Sequence, residues 1–213
     1  MAEFSGYTGL VRTTDAAIEP ISVADVNSWL GLNTNPVRTD MMIRTARDRA
    51  ERYMHRAMIT QSWRMSRDLW PSSTTDWWDA WHAIRTEAGQ YYIELPYAPL
   101  QSVTSVTTYD MDDTATTITV NDVFIVDTDA QPGRLILRTG QVWPVDTRRG
   151  VRAEIVYVAG YGDTAEDVPA EFRQGMLQHV AWMHENRGDE GSGKDGFIES
   201  GARAHYKRIW SID

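Results

Sequence analysis

The stretch TDMMIRTARDRAERYMHRAMITQSWRMSRDLWP, residues 39–71, changes period in its middle, and that change limits the fold more than any other feature. Over its first half Ile43, Ala46, Ala50, Tyr53, Met54 and Ala57 recur at spacings of three and four, which predicts one amphipathic helix from about Thr39 to Ala57. Thr39 is the expected N-cap, with Asp40 in the first turn facing the positive end of the helix dipole. The other face carries Arg44, Arg47, Asp48, Arg49, Glu51, Arg52 and Arg56. Beyond it Trp63, Met65, Arg67 and Leu69 alternate with Ser62, Arg64, Ser66 and Asp68, which is strand spacing. A helix that feeds straight into a strand implies a chain of mixed class.

On either side of this junction the elements sort by type. Residues 1–20 are polar and aperiodic and read as an extended N-terminal arm ending at Pro20. Ser22-Val23-Ala24-Asp25 is a helix start with an acid three residues after the cap, and Gly31 is the expected stop. Pro36 reads as part of a turn before the long helix. After the first strand, Ile59–Trp70, the residues 72–90 form a Trp-rich polar excursion. Alternating segments follow at Tyr91–Leu95, Val103–Tyr109, Thr116–Val120, Val123–Val126, Arg134–Leu137 and Val151–Ala159, separated by turn residues. Helical spacing returns from Pro169 through Phe172, Met176, Val180, Met183 and Arg187, and Gly188 stops it. Residues 188–196 have linker composition, and Phe197–Asp213 recovers apolar character.

The expected organisation is α+β. An arm (1–20) precedes a small helical unit of three core helices (21–58 and 168–188). An antiparallel β-sheet or barrel-like region (59–167) is inserted into that unit, and a linker with a C-terminal docking tail (189–213) ends the chain. A linker followed by an amphipathic segment is the layout of a tethered docking element.

Composition narrows the function classes. The 213 residues suffice for one core with a smaller appended unit, and 42% hydrophobic and 24% charged residues are ordinary for a globular chain. The formal net charge of −9 argues against nucleic-acid binding over the whole surface, yet suits the wall of a DNA conduit. With no cysteine, disulfides and thiolate metal sites are excluded. No apolar run is long enough to span a bilayer, and MAEFSGYTGLVRTTD lacks a signal-peptide pattern, so synthesis in a cytoplasm is expected.

Signals of catalysis are weak throughout. His55, His82, His179, His184 and His205 show no pair at the spacing of a helical metal site. Asp110, Asp112 and Asp113 resemble the start of a calcium loop that no glutamate closes, and a solvated turn is the expected reading. No Gly-x-Ser-x-Gly element and no phosphate loop occur, so no catalytic residue, metal or cofactor is expected. The nine tryptophans call for large buried surfaces. Trp77, Trp78 and Trp81 fit a subunit interface, a cover over the sheet, or a sugar-stacking platform, the last being the alternative of a carbohydrate-binding module. The Arg44, Arg47, Asp48, Glu51 and Arg52 face is expected to be solvated or to pair with acids of a neighbouring subunit, or else to line a DNA path.

Several pieces in order carry a resemblance. They are Glu19-Pro20-Ile21-Ser22, the long helix, Ile59-Thr60-Gln61-Ser62-Trp63, Asp68-Leu69-Trp70-Pro71, Leu95–Val103 (LPYAPLQSV), Trp143-Pro144, Tyr157–Gly162 (YVAGYG) and Val168-Pro169. Together they resemble the head–tail connector (adaptor, head-completion) proteins of long-tailed bacteriophages and gene transfer agents. The likeness covers about Glu19 to Arg187; the 72–90 excursion and the tail depart from it. The resemblance implies a non-enzymatic virion protein of the neck. It would form a ring with copies of itself, usually dodecameric, beneath a portal protein, extend the channel for double-stranded DNA without reading its sequence, and meet a stopper or tail-terminator protein. No membrane is implied. On that reading the tail docks on the portal, with Phe197, Ile198, Tyr206, Ile209 and Trp210 as apolar anchors and Arg203, Lys207 and Arg208 as charge partners.

Overall fold

The computed structural model describes residues 7–68, 70, 92–144, 148, 150–186 and 195–209. They fall into two compact units, each assembled from two lengths of chain: the described parts of Met1–Thr14 and Gln61–Ala159, and those of Asp15–Thr60 and Gly160–Asp213. The first is β-rich and the second helical, so the fold is α+β.

In the β-rich unit a five-stranded antiparallel sheet runs in the order β1 (Tyr7–Thr14), β2 (Gln61–Arg67), β8 (Ala153–Ala159), β4 (Leu100–Tyr109), β5 (Ala115–Ile118). A three-stranded sheet runs β3 (Tyr92–Leu95), β7 (Gly133–Leu137), β6 (Phe124–Asp127). The alternation seen in the sequence is the burial pattern: Trp63 and Met65 of β2 and Ala153, Ile155, Tyr157 and Ala159 of β8 are all buried. In β2 paired with β8, Trp63 stands opposite Tyr157 and Met65 opposite Ile155. The Tyr157 hydroxyl donates to the Pro96 carbonyl at 2.9 Å, and Trp63 stacks on Tyr97 with centroids 4.0 Å apart. Trp70 stacks on Trp143 at 5.1 Å.

Three expectations change here. Among the described strands neither sheet closes on itself, so the region is a pair of open sheets rather than barrel-like. The arm is not a free extension throughout, because β1 pairs antiparallel with β2 along its length. As an edge strand with Val11 49% exposed, it buries too little to show an apolar alternation. Val120 and Val123, which the sequence places at the end of one strand and the start of the next, form with Asn121 and Asp122 a short helical turn, α3 (Val120–Val123).

The helical unit holds α1 (Val23–Leu30), α2 (Pro36–Met54) and α4 (Ala170–Glu185). α1 begins and ends as its sequence requires. Ser22 and Asp25 form a capping box, and Gly31 takes the left-handed conformation (φ 65°) that closes the helix. α2 starts earlier than the alternation of its core residues suggests. Asn35 is the cap, its side chain accepting the Arg38 N–H, and Pro36 fills the first helical position, where a missing N–H costs nothing. Thr39 is instead buried inside the first turns, donating to the Asn35 carbonyl at 2.9 Å. The core joins Val26, Ile43, Ala46, Ala50, Met54, Phe172, Met176 and Val180. Gly160 is left without a side chain because a Cβ there would lie 2.6 Å from the Ile59 backbone.

The C-terminal segment belongs to this unit. A short helix, α5 (Gly196–Glu199), and a 3-10 turn (Ala202–His205) pack on α2 and α4.

Candidate interaction surfaces

The α2 face expected to meet a neighbour is divided by burial. Arg44, Arg49 and Arg52 are exposed, whereas Arg47 is 1% and Glu51 2% exposed. This corrects the placing of Arg47 and Glu51 on an outer face. Arg47 lies four residues after Ile43 and three before Ala50, within the core stripe, and its charge masks that position in the sequence. Its guanidinium stands 3.2 Å from Asp15, 3.3 Å from Glu19 and 3.8 Å from Asp48. The Glu19 contact is an ion pair without hydrogen-bond alignment, since Arg47 Nε and Glu19 Oε2 have no hydrogen-bond partner among the described residues. Burial pushes the Glu19 carboxyl above its ordinary range, against the pull of Arg47. Glu51 accepts the Met58 N–H at 2.8 Å and so serves the turn that leaves α2. Arg44 pairs with Asp40 along the helix at 2.9 Å.

The tail residues are also divided. Phe197 and Tyr206 are 2% and 5% exposed and belong to the core. Phe197 sits edge-on to Tyr53 at 5.2 Å, stacks on Tyr206 at 5.5 Å, meets the His179 ring at 5.6 Å and lies under the Arg49 guanidinium at 5.4 Å. Arg49 also pairs with Asp195 at 2.7 Å. Tyr206 fits where α4 has Gly175; a Cβ there would come 2.7 Å from the phenol ring. The Ile209 N–H caps the Met54 carbonyl at the end of α2. Phe197 and Tyr206 are therefore not free anchors: their apolar area is already spent within the chain. Ile198, Arg203, Lys207 and Arg208 remain exposed and Ile209 is half-buried. Trp77, Trp78, Trp81 and Trp210 lie outside the described residues.

His179 was considered in the sequence only as a metal ligand. It packs instead against Phe197, its Nδ1 has no hydrogen-bond partner among the described residues, and burial holds its pKa below the ordinary value. Asp195 opposes that shift and Arg49 adds to it. His55, at the end of α2, is lowered in the same way by burial and by Arg208. The Asp110 carboxylate accepts the N–H groups of Asp112 and Thr114 at 2.9 and 2.8 Å, and Asp113 pairs with Arg148. These acids are occupied in forming a turn. Among the described residues no three His, Cys, Asp or Glu side chains are grouped to hold a metal ion, and no helix is long and apolar enough to cross a membrane. An open groove of about 430 Å³ lies between α1 and α4, walled by Ile21, Trp29, Arg173 and Leu177.

No protein-family model matches the chain, and no curated protein matches it in sequence. Solved structures do. A chain in the neck of an empty gene transfer agent particle, computed with C6 symmetry, matches with a TM-score of 0.71 at 19% identity. The match covers 96% of this chain and 98% of that one. The fold is that of a gene transfer agent neck chain. A chain in the virion of a native gene transfer agent particle and one in the native neck, computed with C12 symmetry, match with a TM-score of 0.70 at 18% identity over the same shares.

Proposed function

We propose that this chain is a structural head–tail connector: a non-enzymatic virion protein that forms a ring in the neck, beneath the portal. Its ring extends the DNA channel and joins the capsid to the stopper or tail. One observation carries the reading, the likeness over nearly the full length of both chains to neck chains of a gene transfer agent particle. The assemblies holding those chains were computed with C6 and C12 symmetry, which favours a ring of twelve copies. The acidic net charge of −9 agrees with a channel wall that does not retain passing DNA.

The reading is tested in the particle. Deleting this chain from the producing genome should leave DNA-filled heads and separate tails, counted in electron micrographs of lysates, and supplying it in trans should restore joined particles. Normal joined particles from the deletion strain would refute a connector role.

A further inference from the structure

Five described arginines are matched by carboxylates: Arg44 by Asp40, Arg47 by Asp15 and Glu19, Arg49 by Asp195, Arg134 by Asp127, Arg148 by Asp113. A group at the end of α2 and in the C-terminal segment is not. Arg52, Arg203, Lys207 and Arg208 are all exposed, and none forms an ion pair with a described carboxylate. Arg203 and Arg208 lie against Tyr53, and Arg52 and Lys207 are neighbours in sequence of Tyr53 and Arg208. The guanidiniums of Arg203 and Arg208 lie 5.6 and 5.3 Å from the Tyr53 ring centroid, and Arg203 also donates to its hydroxyl at 3.1 Å. The negative end of the α2 dipole accounts for one cation here, not four. Holding two guanidiniums on one ring with no counter-charge among the described residues works against folding, through like-charge repulsion. Such an arrangement is relieved when an outside anion meets it.

We infer that this face is a subunit contact, which receives a carboxylate-bearing surface of a second copy of the chain. The inference rests on the ring reading. Charge complementarity names the occupant: with 30 acidic against 21 basic side chains, each copy brings an excess of carboxylates. Two bodies of net charge −9 repel at a distance, so their approach is favoured where positive charge is uncompensated. Beyond the Nε–H that Arg203 gives to Tyr53, the two exposed guanidiniums still offer N–H groups, the donors that pair with carboxylates. Arg203, Lys207 and Arg208 then act between copies rather than as charge partners of a portal. Duplex DNA is the competing occupant.

The test uses the full chain and the variant R52E/K207E, whose native side chains make no hydrogen bond or ion pair with another described residue, so its far-UV spectrum should match that of the unaltered protein, with a melting temperature at most a few degrees lower because an acid in the last turn of α2 opposes the helix dipole. Self-association is followed by sedimentation at 50 and 500 mM NaCl, and binding to a 20-bp duplex by fluorescence anisotropy. The expected result is that the unaltered chain associates, that high salt weakens the association, and that R52E/K207E weakens it at least tenfold while R52K/K207R preserves it. An R52E/K207E protein that associates as the unaltered chain does would overturn the inference and leave the connector reading standing. So would an unaltered chain that stays monomeric at both salt concentrations, or one that binds the duplex through these cations while its association ignores their reversal. The deletion strain judges the connector reading independently of all these outcomes.

Discussion

Arg47 and His179 are the two side chains whose chemistry is most at odds with their surroundings. A guanidinium that is 1% exposed is tolerable because Asp15, Glu19 and Asp48 surround it, which ties the segment before α1 to the middle of α2. For His179, Asp195 opposes the effect of burial without overcoming it. The folded pKa of His179 lies below the ordinary value, so near and below pH 6.5 the unfolded chain binds the proton first. The stability tied to neutral His179 is present above that pH and is lost as pH falls toward the folded value; His55 acts in the same direction. The melting temperature should therefore drop between pH 7 and pH 5, and His179→Leu should flatten part of that drop. A variant with the same pH profile as the unaltered protein would show that His179 does not report on this core.

At the level of elements, the C-terminal segment carries most consequence. Read as sequence, it is a tethered docking tail. In the structure Phe197 and Tyr206 fill a socket made by Tyr53, Gly175 and His179, and Ile209 caps α2. Ending the chain before Asp195 should cost the helical unit roughly 3–5 kcal/mol or more, the scale of removing one large buried aromatic. Calorimetry should then show that unit melting at least several degrees lower. A truncated protein with unchanged melting would mean that the segment lies on the unit without stabilising it. The caps of α1 were legible because Ser22, Asp25 and Gly31 act locally. The start of α2 was misplaced because Pro36 serves a turn and a first helical position equally well. β1 was missed because its partner, β2, comes some fifty residues later and no apolar pattern announces the pairing.

Over the whole molecule, class was more legible than surface. The change from helical to strand period at the α2–β2 junction, and the return to helical spacing at Pro169, fixed an α+β chain with strands between helices. The residues assigned to docking divided because sequence gives amphipathicity without saying which body an apolar face meets. Phe197 and Tyr206 meet their own chain; Arg52, Arg203, Lys207 and Arg208 face outward. In the proposed connector, oligomerisation is what would join these surfaces to the role. It is tested most directly by the molar mass of the purified 24.2 kDa chain, taken by light scattering over a range of concentrations, with and without purified portal, and checked by negative-stain imaging. The account predicts closed rings of about a dozen chains, alone or on the portal. A strict monomer that stays monomeric when mixed with portal would contradict it.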